Sequence, residues 1–318
     1  MEIKSKLMQK IGIMSANLSN EFIQLDVDDR IPTVAFLSEK YETARGTVQS
    51  SLKLLQDYGA IKLESRGHLG TFITYIDYLK LLEVAGINSL VGVMPLPYSK
   101  RYEGLATGIF NTLNDRHLSV NLAFMRGANH RLKALLDGRY DFAVTSRLTA
   151  DYYLKNNEPI EISAASDVYK RQEIVAAFGD YSYVNEHVLV VRNDNDGVIR
   201  NNMKVGIDRS SIDQSSLTLS YFNDFNVEYV DMSYSSLKNA IKNKEVDAAI
   251  WNKDDIDGDE VKVLKLGREN LGISDTEAVI ITSKKNAILP KLFSKNLDRK
   301  EVLRYQREVL EGLIMPNY

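Results

Sequence analysis

The sequence predicts an α/β chain in two parts: a small helical domain closed by a β-hairpin, then a larger domain of two similar α/β lobes. Three observations predict it. Helical-period segments followed by two alternating strands fill the first eighty residues. From Leu90 onward, short apolar runs alternate with helical patterns. One such pattern, Leu132-Lys133 followed by Asp141-Phe142-Ala143-Val144, recurs as Leu237-Lys238 followed by Asp247-Ala248-Ala249-Ile250.

In the first part, Leu7, Ile11, Met14 and Leu18 recur at helical spacing, and the acidic run Asp26 to Asp29 ends that helix. After Ile31-Pro32, Thr33 is placed to cap a short helix that turns Val34, Leu37 and Tyr41 inward, because its hydroxyl can accept from an orphan amide of the first turn. A tight turn at Glu42 to Ala44 leads into a helix from about Arg45 to Tyr58. That helix buries Val48, Leu52 and Leu55 and stops at Gly59, a residue suited to the left-handed position. Residues 61–64 and 71–74 alternate as two strands around the turn Arg66 to Gly70.

This order of helices and hairpin is that of a winged helix-turn-helix, in which the second helix of the pair enters the major groove of double-stranded DNA. Arg45, Gly46, Thr47, Gln49 and Ser50 lie on the side away from the predicted core, and Arg45 is the candidate for direct base readout. Thr33 at a helix start, and Arg66 and His68 at the hairpin tip, complete the candidate DNA contacts. The alternative is that all of these are solvated positions of a small helical domain. Charge gives no global support for DNA binding: the chain carries a net charge of −3, and its first eighty residues balance ten Lys/Arg against ten Asp/Glu. Phosphate affinity depends on where cations cluster, so this weighs against DNA without excluding it.

The segments Ile31-Pro32-Thr33, Ala44 to Gln49, Leu54 to Ile61 and Gly70 to Ile73 resemble the winged helix of GntR-type repressors over roughly residues 20–75. Two features depart from that family: Ala35 stands where an arginine is usual, and the wing turn has one extra residue. The resemblance therefore carries no contact over to those places.

Composition bounds the rest. At 318 residues the chain is about twice a typical domain, and 44% hydrophobic with 26% charged residues is ordinary for a soluble protein. No stretch approaches the roughly 18 apolar residues that span a bilayer. The start lacks the apolar run and cleavage site of an export signal, so a cytoplasmic location is expected. There is no cysteine, and His68, His117, His130 and His187 show no metal-ligand spacing, so neither metal nor cofactor is expected. The predicted divisions are a DNA-binding domain over 1–76, a linker over 77–89 and an effector domain over 90–318.

In the second part the strand-helix rhythm predicts βαβ units and a largely parallel sheet, two lobes with a cleft between them, and a C-terminal helix from about Lys300 to Leu313 returning to the first lobe. Ligands of open α/β sheets collect beyond the carboxyl ends of strands. The candidate ligand contacts are therefore Pro97, Tyr98, Ser99 and Arg101, then Arg126 and Gly127, Ser146 and Arg147, Asp208, Ser210 and Ser211, and Trp251 and Asn252. Three arginines with hydroxyls and helix starts predict a small anionic metabolite, since a guanidinium binds carboxylate or phosphate bidentately. Against this stand simpler readings: surface ion pairs for Arg101 or Arg126, packing for Trp251, helix capping for Ser210 and Ser211.

The segments Met94 to Tyr98 with Tyr102 to Ala106, Met125 to Ala128, Tyr140 to Leu148, Asp213-Gln214, Val246 to Asn252 and Thr276 to Val279 resemble the C-terminal domain of the YhfZ family. That resemblance implies the two-lobed fold of type II periplasmic binding proteins, joined to a GntR-like winged helix. It supplies no effector. Residues 166–173 interrupt the match and read as a local insertion or an artefact of sequence assembly, and no site is placed there.

The function expected is a DNA-binding transcriptional regulator, a homodimer on its operator, whose affinity is set by a small anionic ligand in the interlobe cleft. An enzyme acting on a small anionic metabolite is the alternative. It lacks motif support: there is no Gly-x-Gly-x-x-Gly, Walker loop, Gly-x-Ser-x-Gly or His-Glu-x-x-His, and Ser235-Ser236-Leu237-Lys238 is too short a match to Ser-x-x-Lys to carry catalysis. A transport-associated solute-binding protein is a third reading, opposed by the attached winged helix.

Overall fold

The computed structural model describes residues 9–155, 172–256, 261–266, 276–284, 286 and 288–318. Leu7 and most of the interrupting stretch 166–173 lie outside the described residues. The chain divides into two compact units, one of Met1–Leu90 with Asp115–Ser119 and Ala287–Asn296, the other of Val91–Asn114, Val120–Asn286 and Leu297–Tyr318.

The first unit starts with α1 (Lys10–Phe22), which buries Met14, Leu18 and Phe22 and ends before the acidic run expected to stop it. Then come α2 (Val34–Lys40), α3 (Arg45–Asp57) and the antiparallel hairpin β1 (Ile61–Ser65) and β2 (Thr71–Ile76). Thr33 caps α2 as expected, its hydroxyl accepting from the Phe36 amide at 3.2 Å. Helix α3 turns Val48, Ser51, Leu52 and Leu55 into the core, and the Ser51 hydroxyl donates to the Ile11 carbonyl at 3.1 Å, fixing α3 on α1. Arg30 bridges Phe72 beside the hairpin, so the wing has a third, single-residue edge.

The connecting stretch 77–89, expected as helix or coil, is largely helix. Asp77 caps α4 (Tyr78–Ala85), whose Leu81 and Leu82 are buried within this unit. The unit also takes in a distant helix, Ile288–Asn296, which buries Leu289, Leu292 and Phe293. Its Lys291 donates to the carbonyls of Gln24 and Leu25, at 3.0 and 2.6 Å, just past the end of α1. Lys291 and Lys295 both pair with Asp26, and Lys295 also donates to the Tyr78 hydroxyl. These donors hold the Asp26 carboxyl well below the usual carboxylate range.

The second unit holds two five-stranded sheets. Its elements in chain order are β3 (Leu90–Met94), α5 (Lys100–Asn114), β4 (Val120–Phe124), α6 (Ala128–Leu136), β5 (Phe142–Ser146), α7 (Arg147–Lys155), β6 (Gln172–Ala177), β7 (His187–Val191), β8 (Lys204–Ile207), α8 (Ile212–Tyr221), β9 (Glu228–Asp231), α9 (Tyr234–Lys242), β10 (Ala248–Asn252), β11 (Lys262–Lys265) and β12 (Ala278–Ser283). The distant helix of the first unit is α10 in this order, and α11 (Arg299–Leu310) follows. The first sheet runs β4-β3-β5-β12-β6 and the second β11-β7-β10-β8-β9.

Two similar lobes are therefore present, but neither sheet is largely parallel. Strand β12 runs antiparallel to β5 and β6, and β7 antiparallel to β10 and β11, while β3/β5, β8/β10 and β8/β9 are parallel. The chain passes from one sheet to the other after β6 and returns before β12. A strand that enters its sheet from the other lobe has no crossover helix to return it to the starting edge, so it is free to run the other way.

Helix α11 packs along α5, as expected for a terminal helix returning to the first lobe. It buries Val302, Gln306 and Val309, whereas Leu313 lies beyond its end and is exposed. Glycines make the close approach possible: a Cβ on Gly108 would sit 2.4 Å from the Val302 carbonyl oxygen, and one on Gly104 would sit 2.8 Å from that of Gln306.

Candidate functional site

In the first unit, Arg45 is the first residue of α3, and Arg45, Gly46, Gln49 and Ser50 are exposed with Thr47 half-buried. The buried residues of α3 occupy the other side, so the helix presents the polar stripe expected of a groove reader. Arg45 makes no hydrogen bond or ion pair among the described residues. Arg66 differs. Its guanidinium donates to Glu64 at 3.0 Å and to Asp28 at 3.4 Å, and stacks 4.6 Å from the Phe72 ring centroid. Two carboxylates thus already hold the group expected to reach phosphate. His68 lies exposed in the short 3-10 turn Gly67–Leu69. Arg30, missed in the sequence because it falls between predicted elements, reaches the same tip: a Cβ on Gly70 would lie 2.5 Å from its Nε.

In the second unit, a cavity of about 630 Å³, counting its open mouth, lies where the ends of both sheets meet. Of the expected contacts, Tyr98, Arg126, Gly127, Asp208, Ser211 and Asn252 line it. They follow β3, β4 and β8 or end β10, in agreement with the rule that ligands collect at carboxyl ends of strands.

The others serve elsewhere. Ser99 begins α5, its hydroxyl accepting weakly from the Tyr102 amide at 3.4 Å, and Pro97 is exposed outside the lining. Arg101 pairs with Asp254 at 2.9 Å, and Arg147 with Glu277 at 2.7 Å. Ser146 donates to Asp213 at 2.6 Å and so stands behind the wall, while Ser210 donates to Asp208 at 2.6 Å. Trp251 is buried behind Tyr234, stacked at 4.2 Å between ring centroids. Two of the three arginines on which the anionic ligand was argued are thus spent on carboxylates outside the cavity.

The cavity also has walls that sequence reasoning missed. Arg131 is buried in α6 and donates to the carbonyls of Val144 and Met125 and to the Tyr183 hydroxyl. Tyr102 and Tyr183 pack edge to face, 5.1 Å between centroids, and burial pushes both phenols up, so both remain protonated. Asp213 accepts from Ser146 and Thr149. Asp208 accepts from the amide and hydroxyl of Ser210 and from the Tyr234 amide. Gln214 braces this loop by accepting from the Asp208 amide at 2.7 Å. The only available sequence signal for Arg131 was a cation within an otherwise amphipathic helix, which reads equally as a solvated residue.

Two side-chain nitrogen groups in this lining lack partners among the described residues. One is the Arg126 guanidinium at the mouth. The other is Nδ2 of Asn252, a residue only 2% exposed, whose carbonyl oxygen is occupied by the Asp254 amide. Helix α6 begins beside them at Gly127, with φ +78° and no side-chain cap, so its first amides meet no side-chain acceptor. Gly127 is required there: a side chain would be strained at that φ, and its Cβ would lie 2.8 Å from His130 Nδ1.

Fold and site together define a helix-turn-helix protein carrying a larger α/β domain of two five-stranded lobes. Residues 27–73 match a helix-turn-helix domain model, and residues 77–318 match the model of the YhfZ C-terminal domain. The chain belongs to the YhfZ family. It is 32% identical to YhfZ of Escherichia coli (strain K12), over 99% of this chain and 100% of that protein. The crystal structure of YhfZ from Shigella flexneri is 33% identical, with a TM-score of 0.61, covering 76% of this chain and 97% of that one. An ABC-transporter periplasmic substrate-binding protein from Coxiella burnetii is 12% identical, with a TM-score of 0.47 over 72% of this chain and 100% of that one. No helix among the described residues is long and apolar enough to cross a membrane.

Proposed function

We propose that the protein is a DNA-binding transcriptional regulator, dimeric on its operator, whose affinity for DNA is set by a small ligand in the cavity of the two-lobed domain. The observation that carries the DNA half is Arg45: an exposed, unpartnered guanidinium at the start of the second helix of a helix-turn-helix pair, with Gln49 one turn further on. The cavity, with its unpartnered Asn252 amide and unpaired Arg126, supports the ligand half. Closure of the lobes on the ligand couples the two halves, and such coupling typically changes operator affinity by roughly 5- to 150-fold.

The test is selection of bound duplexes from a randomised DNA library at physiological salt, with Arg45→Ala as control. Enrichment of one palindromic sequence by the parent and not by the folded variant is the expected result. Equal enrichment by both, or none by the parent, overturns the assignment of α3 as the reader.

A further inference from the structure

We propose that the cavity binds a small zwitterion of the amino-acid type, its carboxylate held by Arg126, the Asn252 amide and the start of α6, and its ammonium by Asp208 and the tyrosine faces beside it. This deepens the ligand-controlled reading above and rests on it. The lining carries two arginines, Arg126 and Arg131, two aspartates, Asp208 and Asp213, and His187. The arginines and aspartates balance in number, so their count alone favours neither an anion nor a cation. What selects the ligand is where the opposite charges sit and which of them still have hydrogen-bonding capacity.

On the cationic side, the unused groups are all donors. Arg126 is unpaired, Asn252 Nδ2 is buried without a partner, and the first amides of α6 have no cap. A carboxylate satisfies several of them at once, and a buried donor left unmade costs its full desolvation. Arg131 gives three of its five N–H donors to two carbonyls and a phenol and keeps two, so it adds to this donor set.

On the anionic side, Asp208 is only 5% exposed and accepts from three donors, none of them charged. A carboxylate has about four acceptor sites, which leaves one for a ligand donor. Its Oδ2 accepts from the Tyr234 amide at 2.7 Å, and the Tyr234 and Tyr98 rings lie 6.3 Å apart at 42°. Carboxylate and ring faces together form the environment that receives an ammonium. The two ends lie close together: a Cβ on Gly127 would be 3.2 Å from the hydroxyl of Ser210, which itself donates to Asp208. A single small molecule with its two charges near one another spans that distance.

The experiment is calorimetric titration of the full chain with the twenty standard L-amino acids and their D-enantiomers. The best binder is then compared with its deaminated acid and its decarboxylated amine, and with succinate and inorganic phosphate. The expected result is one or a few amino acids bound, with roughly tenfold or greater loss for each single-charge analogue. Arg126→Gln and Asn252→Asp serve as variants; the second keeps the acceptor for the Asp254 amide and replaces the free donor with an acceptor. Both are expected to weaken the amino acid and the acid alike and to leave the amine unchanged, with the thermal transition of the protein retained. Succinate or phosphate binding as tightly as any amino acid, or variants with unaltered affinity, overturns the zwitterion. The ligand-controlled reading fails separately if a deproteinised metabolite extract also leaves the affinity for the selected operator unchanged.

Discussion

The two regions that carry candidate function present Arg45, in the first, and Arg101 and Arg147, in the second, in opposite ways. In the first unit Arg45 stands exposed on α3 with no partner among the described residues. In the second, Arg101 and Arg147 are tied to Asp254 and Glu277, partners 153 and 130 positions away. A residue displayed by one helix is placed by that helix alone, and a 3.6-residue period suffices to predict its exposure. A residue at the mouth of a sheet is placed by whatever the fold brings opposite it. Reading a cleft therefore requires knowing which charges cancel before asking which remain.

The comparison breaks most severely where long-range packing is tightest. Gly108→Ala puts a methyl 2.4 Å from a backbone oxygen of α11, and backbone cannot swing aside as a side chain can. Alanine favours a helix over glycine by roughly 0.5–1 kcal/mol, so any net loss is steric. We expect destabilisation of about 1–3 kcal/mol or more, read as a lower urea midpoint by circular dichroism. An unchanged midpoint would mean that α11 does not sit against α5 as described.

Next in size is Arg147→Ala. Arg147 and Glu277 are 26% and 15% exposed, and Glu277 also accepts from the Gly179 amide at 2.8 Å. Removing the guanidinium leaves a largely buried carboxylate short of a partner, at a cost of about 1–2 kcal/mol after allowing for its remaining exposure. Thermal denaturation with and without ligand separates two cases. Lost stability with retained ligand affinity fits a structural pair; lost affinity at constant stability would return Arg147 to the cavity, where its position after β5 had put it.

How far the sequence reached follows the same line. Thr33 as a cap, the left-handed Gly59, the hairpin and the two-lobed repeat were legible because each rests on neighbours within a few residues or on a repeated local pattern. In the cavity, Tyr98, Arg126, Gly127, Asp208, Ser211 and Asn252 were legible from the rule about strand ends. Tyr234, just past the end of β9, obeys the same rule and was passed over. Arg131 and Tyr183 were not legible, since one enters from a helix face and the other from the connection between lobes. The antiparallel strands were missed for the same reason: direction within a sheet depends on which lobe the chain arrives from. Helix α10 gave no sign that it belongs with residues of the first unit, because Lys291 and Lys295 look like any pair of surface lysines until Asp26 is set against them.

That cluster predicts a smaller, pH-dependent effect. Lys291, Lys295 and Tyr78 depress the folded-state pKa of Asp26, so its contribution is fully present above the ordinary unfolded value near ~3.9 and is lost as pH falls toward the folded one. The side chain is 59% exposed, which limits the contribution to a fraction of a kcal/mol, below about 1. Asp26→Asn should lower the urea midpoint slightly at pH 7 and flatten its decline between about pH 5 and pH 3. Parallel declines in parent and variant would show that the lysines hold nothing.

The smallest effect on stability is expected at the residue with the largest expected effect on function. Arg45 sits at the start of α3, the end of a helix where a positive charge opposes the macrodipole by about 0.3–1 kcal/mol, and no carboxylate among the described residues compensates it. Folding would be served as well or better by a neutral residue there. Arg45→Ala should therefore leave the urea midpoint within about 0.5 kcal/mol of the parent, or raise it, while specific DNA binding is lost. Both readouts come from one protein preparation. A clear drop in stability would instead assign Arg45 to the fold, and with it would go the reason for reading this helix as the one that faces DNA.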